Sequence, residues 1–264
     1  MSNKPYITTE RRGHIFLICL DRPEVRNAVN MEMIQQLSDA YTEYEDDKTA
    51  RCAVIYASGK HFTFGLELDT VSQALLAEGK LKFSENNVDP VAVGFSERVR
   101  TKPIVCAVHG FCLTLGIELM LASDITIAAE RTRFSQMEVQ KGILPFGGAT
   151  FRFLTASGWG NTMRYLLTGD DFGTDEALRM GLIQEVVEKK ELLNRGIQLA
   201  EKIALQAPLA VQAVIANARK YLSKGEAEAI KELSPKALEL LQTEDGKEGV
   251  KSFIEKRTAV FVGK

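Results

Sequence analysis

The sequence predicts an α/β core followed by an all-helical C-terminal third, and two observations carry that expectation. Over roughly the first two hundred positions, short continuous apolar runs alternate with stretches of helical periodicity. Beyond about Gly196, apolar residues recur only at helical spacing. Apolar runs of strand length bounded by turn signals read as strands buried on both faces. Strands that alternate with helices argue for layered α/β architecture. The expected division is a core over 1–200 and a helical domain over 201–264.

Each element follows from local pattern. Ile15 to Leu20 (IFLICL) is a strand, ended by Asp21-Arg22-Pro23. Met31 to Tyr44 places Met33, Ile34, Leu37, Ala40, Tyr41 and Tyr44 at helical spacing, with Asn30 as its N-cap. Cys52 to Ala57 and Pro103 to Val108 are two further strands, Ile117 to Ala122 a helix, and Ile125 to Ala128 another strand. Leu76 to Asp89, rich in Gly, Lys, Ser and Asn, is expected to be a mobile loop. Leu209 to Leu222 carries Val211, Val214, Ile215, Ala218 and Leu222 on one helical face. Ser234-Pro235 resembles an N-cap followed by Pro at the first helical position, opening a helix through Leu241. Val250, Phe253 and Ile254 form the stripe of a last helix. Short helices cannot bury these faces alone, so packing on the core or on a neighbouring subunit is expected.

Composition excludes several classes. Apolar residues make up 45% and charged residues 26%, as in an ordinary globular protein, and the formal net charge of −2 argues against a nucleic-acid partner. A local basic patch for a phosphorylated ligand remains compatible with it. Cys19, Cys52, Cys106 and Cys112 lie in strand-like or buried segments, with no CxxC pair and no nearby His at metal-ligand spacing. Reduced core thiols in a cytoplasmic protein, and no metal, are expected. Met1 to Glu10 lacks the apolar segment of a signal peptide. Asp, Glu or Gly interrupts every apolar stretch well short of ~18 residues, so no membrane span is expected.

Glu118 is the most informative residue for chemistry. Its helical neighbours Leu115, Leu119, Leu121 and Ala122 are all apolar. Burying a carboxyl raises its pKa and suits it to proton transfer near neutrality; a buried Glu satisfied by a structural partner, or one at a helix end facing water, reads equally well. Glu138, in Phe134-Ser-Gln-Met-Glu-Val-Gln-Lys141, reads by itself as part of an exposed loop. Gly110 to Gly116 links a strand to a helix, a place where backbone N–H groups point at an anion or a polarised oxygen. It is not the dinucleotide fingerprint, and Gly59-Lys60 is not a P-loop. Pro145-Phe-Gly-Gly148 reads as a turn. With only His14, His61 and His109, and no GxSxG elbow, a serine hydrolase is disfavoured.

Several motifs in order resemble the crotonase (enoyl-CoA hydratase/isomerase) superfamily, from about residue 10 to the C-terminus. They are Arg22-Pro-Glu-Val-Arg-Asn-Ala-Val-Asn30, His61-Phe-Thr-Phe-Gly-Leu-Glu-Leu-Asp69, Lys102 through Asp124, Phe134 through Gly148, and Tyr165-Leu-Leu-Thr-Gly169 with Ala177-Leu-Arg-Met-Gly-Leu182. The resemblance implies a ClpP/crotonase-like spiral of ββα units with a C-terminal helical oligomerisation domain, forming homotrimers or dimers of trimers. It implies Glu118 and Glu138 as catalytic carboxylates and the backbone N–H groups of Leu66 and Leu115 as the oxyanion hole. It further implies substrate or coenzyme A contacts from Arg26, Ala28, Phe64, Leu66, Glu67, Leu68, Leu113 and Gly116. No bound cofactor is implied, since coenzyme A arrives as part of the acyl-CoA thioester substrate. Having both glutamates favours reversible hydration of a 2-enoyl-CoA; isomerisation, thioester hydrolysis and acyl-CoA binding without turnover are the alternatives. The tail around Lys256-Arg257 and Phe261 to Lys264 resembles a segment that approaches the coenzyme's phosphates, or else is a solvated basic tail.

Four departures from the family pattern matter. Thr114-Leu115-Gly116 stands where Gly-Gly-Gly is usual, and Leu115 serves as a donor only with φ below zero. Phe64 replaces Ala. Met137 replaces Pro, and Glu67 replaces Asp.

Overall fold

The computed structural model describes residues 4–79, 81–84 and 86–264. Among the described residues, nine strands form two sheets. β1 (Ile7–Arg12) and β2 (Ile15–Leu20) make an antiparallel hairpin. Parallel to β2 and in order across the large sheet run β3 (Cys52–Ala57), β4 (Ile104–Val108), β6 (Ile125–Ala129) and β9 (Glu185–Val187). β5 (Phe111–Leu113), β7 (Arg133–Ser135) and the short β8 (Asp171–Phe172) form the small sheet.

The helices are α1 (Met31–Asp46), α2 (Leu68–Glu78), α3 (Leu115–Ala122), α4 (Ala149–Thr168), α5 (Thr174–Arg179), α6 (Leu192–Ala204), α7 (Pro208–Lys224), α8 (Glu226–Gln242) and α9 (Glu244–Glu255). The chain therefore advances as a spiral of ββα units. β4–β5–α3 and β6–β7–α4 each place one strand in each sheet before a helix. After β3, a single bridge between Thr63 and Cys112 substitutes for the second strand.

The strands are continuous apolar runs because both faces of the sheet are covered. Phe16, Ile18 and Leu20 face α1 and the functional side, whereas Ile15 and Leu17 join Val54, Val105 and Ile127 under α6. At Gly196 in α6, an added Cβ would lie 3.2 Å from Val54 Cγ1, so the glycine lets this helix sit close on the sheet. The residue-200 boundary expected from sequence falls inside α6. Asn30 caps α1 as expected, its side chain accepting from Met33 N at 2.9 Å.

Two local expectations are corrected. Leu76 to Glu78 form the last turn of α2, which ends at Gly79 with φ +74 and its N–H on Leu75 O at 2.8 Å. Of the loop expected there, Lys80 and Glu85 lie outside the described residues. Pro235 does not open a helix; it sits inside α8, which starts at Glu226. Strong helix formers on either side, among them Ala227, Ala229, Ala237 and Leu238, carry the helix across the one missing hydrogen bond.

Helices α7 to α9 leave much apolar surface uncovered in the single chain. Val214 is 70% exposed, Phe253 84% and Ile254 72%. No single helix among the described residues is long and apolar enough to cross a membrane.

Candidate active site

The segments that follow β3, β4 and β6 converge beside the start of α3. Thr63 N donates to Phe111 O, and Leu113 N to Thr63 O, both at 3.1 Å, which ties the first loop to the second. Val29 then clasps the first loop from its other side: Val29 N donates to Gly65 O at 2.8 Å, and Glu67 N donates to Val29 O at 2.9 Å. Those bonds use the groups on both sides of Leu66 and leave the Leu66 N–H without an acceptor among the described residues. The Leu115 N–H, first in α3, is likewise without one, as helix starts are. The positive φ in this turn falls on Thr114, at +48, so Leu115 meets the backbone condition for a donor.

Glu118 lies in the first turn of α3 and is 3% exposed. Its Oε1 accepts from Gly147 N at 2.7 Å and from Ala149 N at 3.3 Å. Burial pushes the carboxyl up to about 7, against the two backbone N–H groups and the Arg152 guanidinium, which favour its ionised form. At Gly147 an added Cβ would lie 2.4 Å from Glu118 Oε2. The glycine that reads as turn chemistry in sequence is therefore required by the approach of the backbone to a carboxylate.

Glu138 overturns the exposed-loop reading. It begins a short 3₁₀ turn after β7, is 7% exposed, and its Oε2 is buried without a hydrogen-bond partner among the described residues. Burial again raises the carboxyl to about 7, and the nearby charge of Glu118 adds to the rise. The two carboxyls are thus brought near each other, Glu118 held by two backbone donors from another segment and Glu138 with one oxygen, Oε2, unpartnered among the described residues.

An apolar cavity opens beside Glu118, lined by Leu37, Leu66, Phe95, Leu115 and Phe146 among others. Its free space is about 20 Å3, room for little more than one water. On the outer side, a second groove is lined by Arg26, Lys60, His61, Phe64 and Phe111. Phe64 packs edge-on against His61 and Phe111, with ring centroids 5.1 and 5.2 Å away, and the Arg26 guanidinium stands 5.0 Å from its ring centre.

The other residues expected to contact ligand are placed as follows. Ala28 O accepts from Arg22 Nη1, and Glu67 spends its carboxylate on the same guanidinium. Leu68 opens α2 and is 37% exposed, whereas Leu113 is buried. Gly116 is buried too, and a Cβ there would lie 2.6 Å from Thr63 Cγ2, so its smallness serves packing between the two loops. His109 is buried, with Nε2 3.1 Å from Gly59 O, and burial pushes it down to about 4. His61 Nδ1 accepts from Phe111 N. Both histidines hold loops. The C-terminal tail is tied back onto α9: Asp245 accepts from Val262 N and Gly263 N, and Arg257 pairs with Glu248 and Glu255.

Sequence reasoning missed three contributors: Gly147 and Ala149, whose N–H groups hold Glu118, and Gln136, whose amide is buried without partners among the described residues. Only the Gly-Gly pair left a local signal, and it reads equally well as a turn.

A ββα spiral that places two buried carboxyls near two backbone N–H groups without acceptors among the described residues has the make-up of an acid–base enzyme. The family model described as enoyl-CoA hydratase/isomerase matches residues 10–264, and the chain belongs to that family. It is 31% identical to the short-chain-enoyl-CoA hydratase of Clostridium acetobutylicum, covering 95% of each chain. It is 32% identical to the crotonyl-CoA hydratase of Syntrophomonas wolfei, covering 98% of each. A solved structure of a probable enoyl-CoA hydratase/isomerase from Mycobacterium abscessus superposes with a TM-score of 0.95 at 44% identity, covering 98% of this chain and 99% of that one.

Proposed function

We propose that the chain is an enoyl-CoA hydratase, adding water reversibly across the double bond of a 2-enoyl-CoA to give a 3-hydroxyacyl-CoA. The observation that carries this reading is the pair of buried carboxyls, both raised to about 7, beside two unpaired N–H donors. The relatives with hydratase names support it.

The roles follow from the surroundings of each group. Glu118 accepts two backbone N–H bonds and is the better seat for a negative charge. It takes a proton from water as the water oxygen bonds to C3. The π electrons move onto the thioester oxygen, giving an enolate held by the Leu66 and Leu115 N–H groups. Donors of this kind contribute about 3 kcal/mol each. Glu138, with an unpartnered Oε2, is the better seat for the proton and delivers it to C2 as the enolate collapses. The chemistry asks for no redox cofactor; coenzyme A enters with the substrate.

The cavity lining of Leu66, Leu115 and Phe95 is apolar and disfavours a charged acyl end, and its small free space admits a hydrocarbon tail only when the lining side chains move aside. The groove at Arg26 and Phe64 is suited to the anionic, nucleotide end of the coenzyme. The uncovered faces of α7 to α9 support a homotrimer or a dimer of trimers, and four buried free thiols fit a reducing cytoplasm.

The test is a panel of 2-enoyl-CoAs of increasing chain length, followed by loss of the conjugated thioester absorbance. Hydration of at least one member, abolished in Glu118→Gln and in Glu138→Gln, is the expected result. A silent Glu118→Gln beside a dead Glu138→Gln would move the assignment to isomerisation. Release of free coenzyme A would move it to hydrolysis, and tight binding without turnover to an acyl-CoA-binding role.

A further inference from the structure

Thr114 is the residue at the site whose conformation its own chemistry disfavours. Its φ of +48 and ψ of −113 lie where glycine is at home and a β-branched side chain is not. The surrounding structure holds it there. Thr114 N donates to Ser135 O at 2.9 Å, and Thr114 O accepts from Ile117 N at 2.9 Å and from Glu118 N at 3.2 Å. Strain pinned in this way collects at functional sites, where the neighbouring structure outweighs it.

The side chain has one close neighbour of consequence. A Cβ built on Gly65 would lie 1.8 Å from Thr114 Oγ1 and 3.1 Å from Thr114 Cβ. The threonine therefore fills the space directly over the Gly65 Cα, in van der Waals contact with it. Gly65 and Thr114 each stand immediately before one of the two unpaired donors, Leu66 and Leu115. A contact between them is a strut between the loops at the point where donor separation is decided.

We propose that Thr114 is a positioning residue for the oxyanion hole: its side chain, braced on Gly65, sets the gap between the Leu66 and Leu115 N–H groups. This rests on the hydratase reading for its chemistry, though the strut itself is a matter of loop geometry. With glycine at 114 the loops lose their spacer and the second donor gains backbone freedom. Serine keeps the Oγ1 contact and the spacing.

The experiment compares wild type, Thr114→Gly and Thr114→Ser by three readouts. The first is the carbonyl stretch of bound butyryl-CoA, which two aimed donors shift to lower frequency. The others are kcat and KM for crotonyl-CoA, and the melting temperature. Thr114→Gly is expected to lose much of the carbonyl shift and about tenfold in kcat, as when a donor is misplaced rather than removed. Its KM should change little, and its melting temperature should hold or rise because the strained φ is relieved. Thr114→Ser should restore the carbonyl shift and kcat.

An undiminished carbonyl shift in Thr114→Gly would overturn the proposal, whatever happens to stability. So would a Thr114→Ser variant as impaired as Thr114→Gly, or a wild type that shifts the carbonyl not at all. If the wild type shifts the carbonyl but hydrates no enoyl-CoA, the hydratase reading falls, and the carbonyl shifts of the two variants still decide the strut.

Discussion

Replacing Glu138 by glutamine removes a carboxyl whose burial works against folding at neutral pH and for catalysis. In the folded chain it titrates at about 7, against an ordinary value of 4.5. Below 4.5 the group is protonated whether folded or not and carries no penalty. As pH rises towards 7 the unfolded chain ionises and the folded chain resists, so stability is lost across that window and levels off above it. At about 1.36 kcal/mol for each tenfold change, the full penalty is about 3 kcal/mol.

Glutamine is neutral throughout and escapes this loss, but its amide leaves a buried donor where Oε2 already lacks a partner, offsetting about 1 kcal/mol. Glu138→Gln should therefore be about 2 kcal/mol more stable than wild type near pH 8 and close to equal near pH 5. Urea unfolding of both proteins at the two pH values measures this, with hydration assayed in parallel. Turnover should fall by roughly 10² to 10⁴, as for loss of a general acid. A stability difference independent of pH would refute the reasoning, because it would mean the carboxyl is not held neutral by burial.

The same pair predicts a bell-shaped profile of kcat/KM against pH, centred near 7. Its acidic limb belongs to Glu118, which must be ionised, and its basic limb to Glu138, which must be protonated; a flat profile from about pH 6 to 8 would contradict this assignment. Gly147→Ala should lower kcat about 10²-fold by displacing the Glu118 carboxylate, measured against crotonyl-CoA. Retained turnover there would mean that the carboxylate position does not matter. Pro235→Ala should stabilise the chain by about 1–3 kcal/mol in denaturant melts, since it restores a hydrogen bond inside α8; no gain would mean that the helix has already relaxed around the proline.

Glu118 was legible because its signal is local: a carboxyl among Leu115, Leu119, Leu121 and Ala122 has no polar face to join. Glu138 was not. Its neighbours in sequence mix polar Ser135, Gln136 and Gln140 with Met137 and Val139 and show no apolar face, yet it is buried in the folded chain. Residue pattern alone could not separate it from a loop glutamate, and only the family resemblance pointed to it. The meeting of the two carboxyls is a product of the spiral, which returns β7 beside β5 and so brings Glu138 to the helix that carries Glu118.

The sequence by itself determined four buried strands of the large sheet (β2, β3, β4 and β6), the Asn30 cap, the α/β order and the helical C-terminal region, because periodicity and capping act over a few residues. It also carried the motifs of the family. Tertiary structure alone decided that Pro235 stays within a helix, that Gly147 yields its space to a carboxylate, and that Thr114 is held in a glycine-like conformation over Gly65. Each of these depends on contacts between segments that approach only in the folded chain, where burial sets the proton affinities and backbone pairing elsewhere leaves the Leu66 and Leu115 N–H groups without acceptors among the described residues.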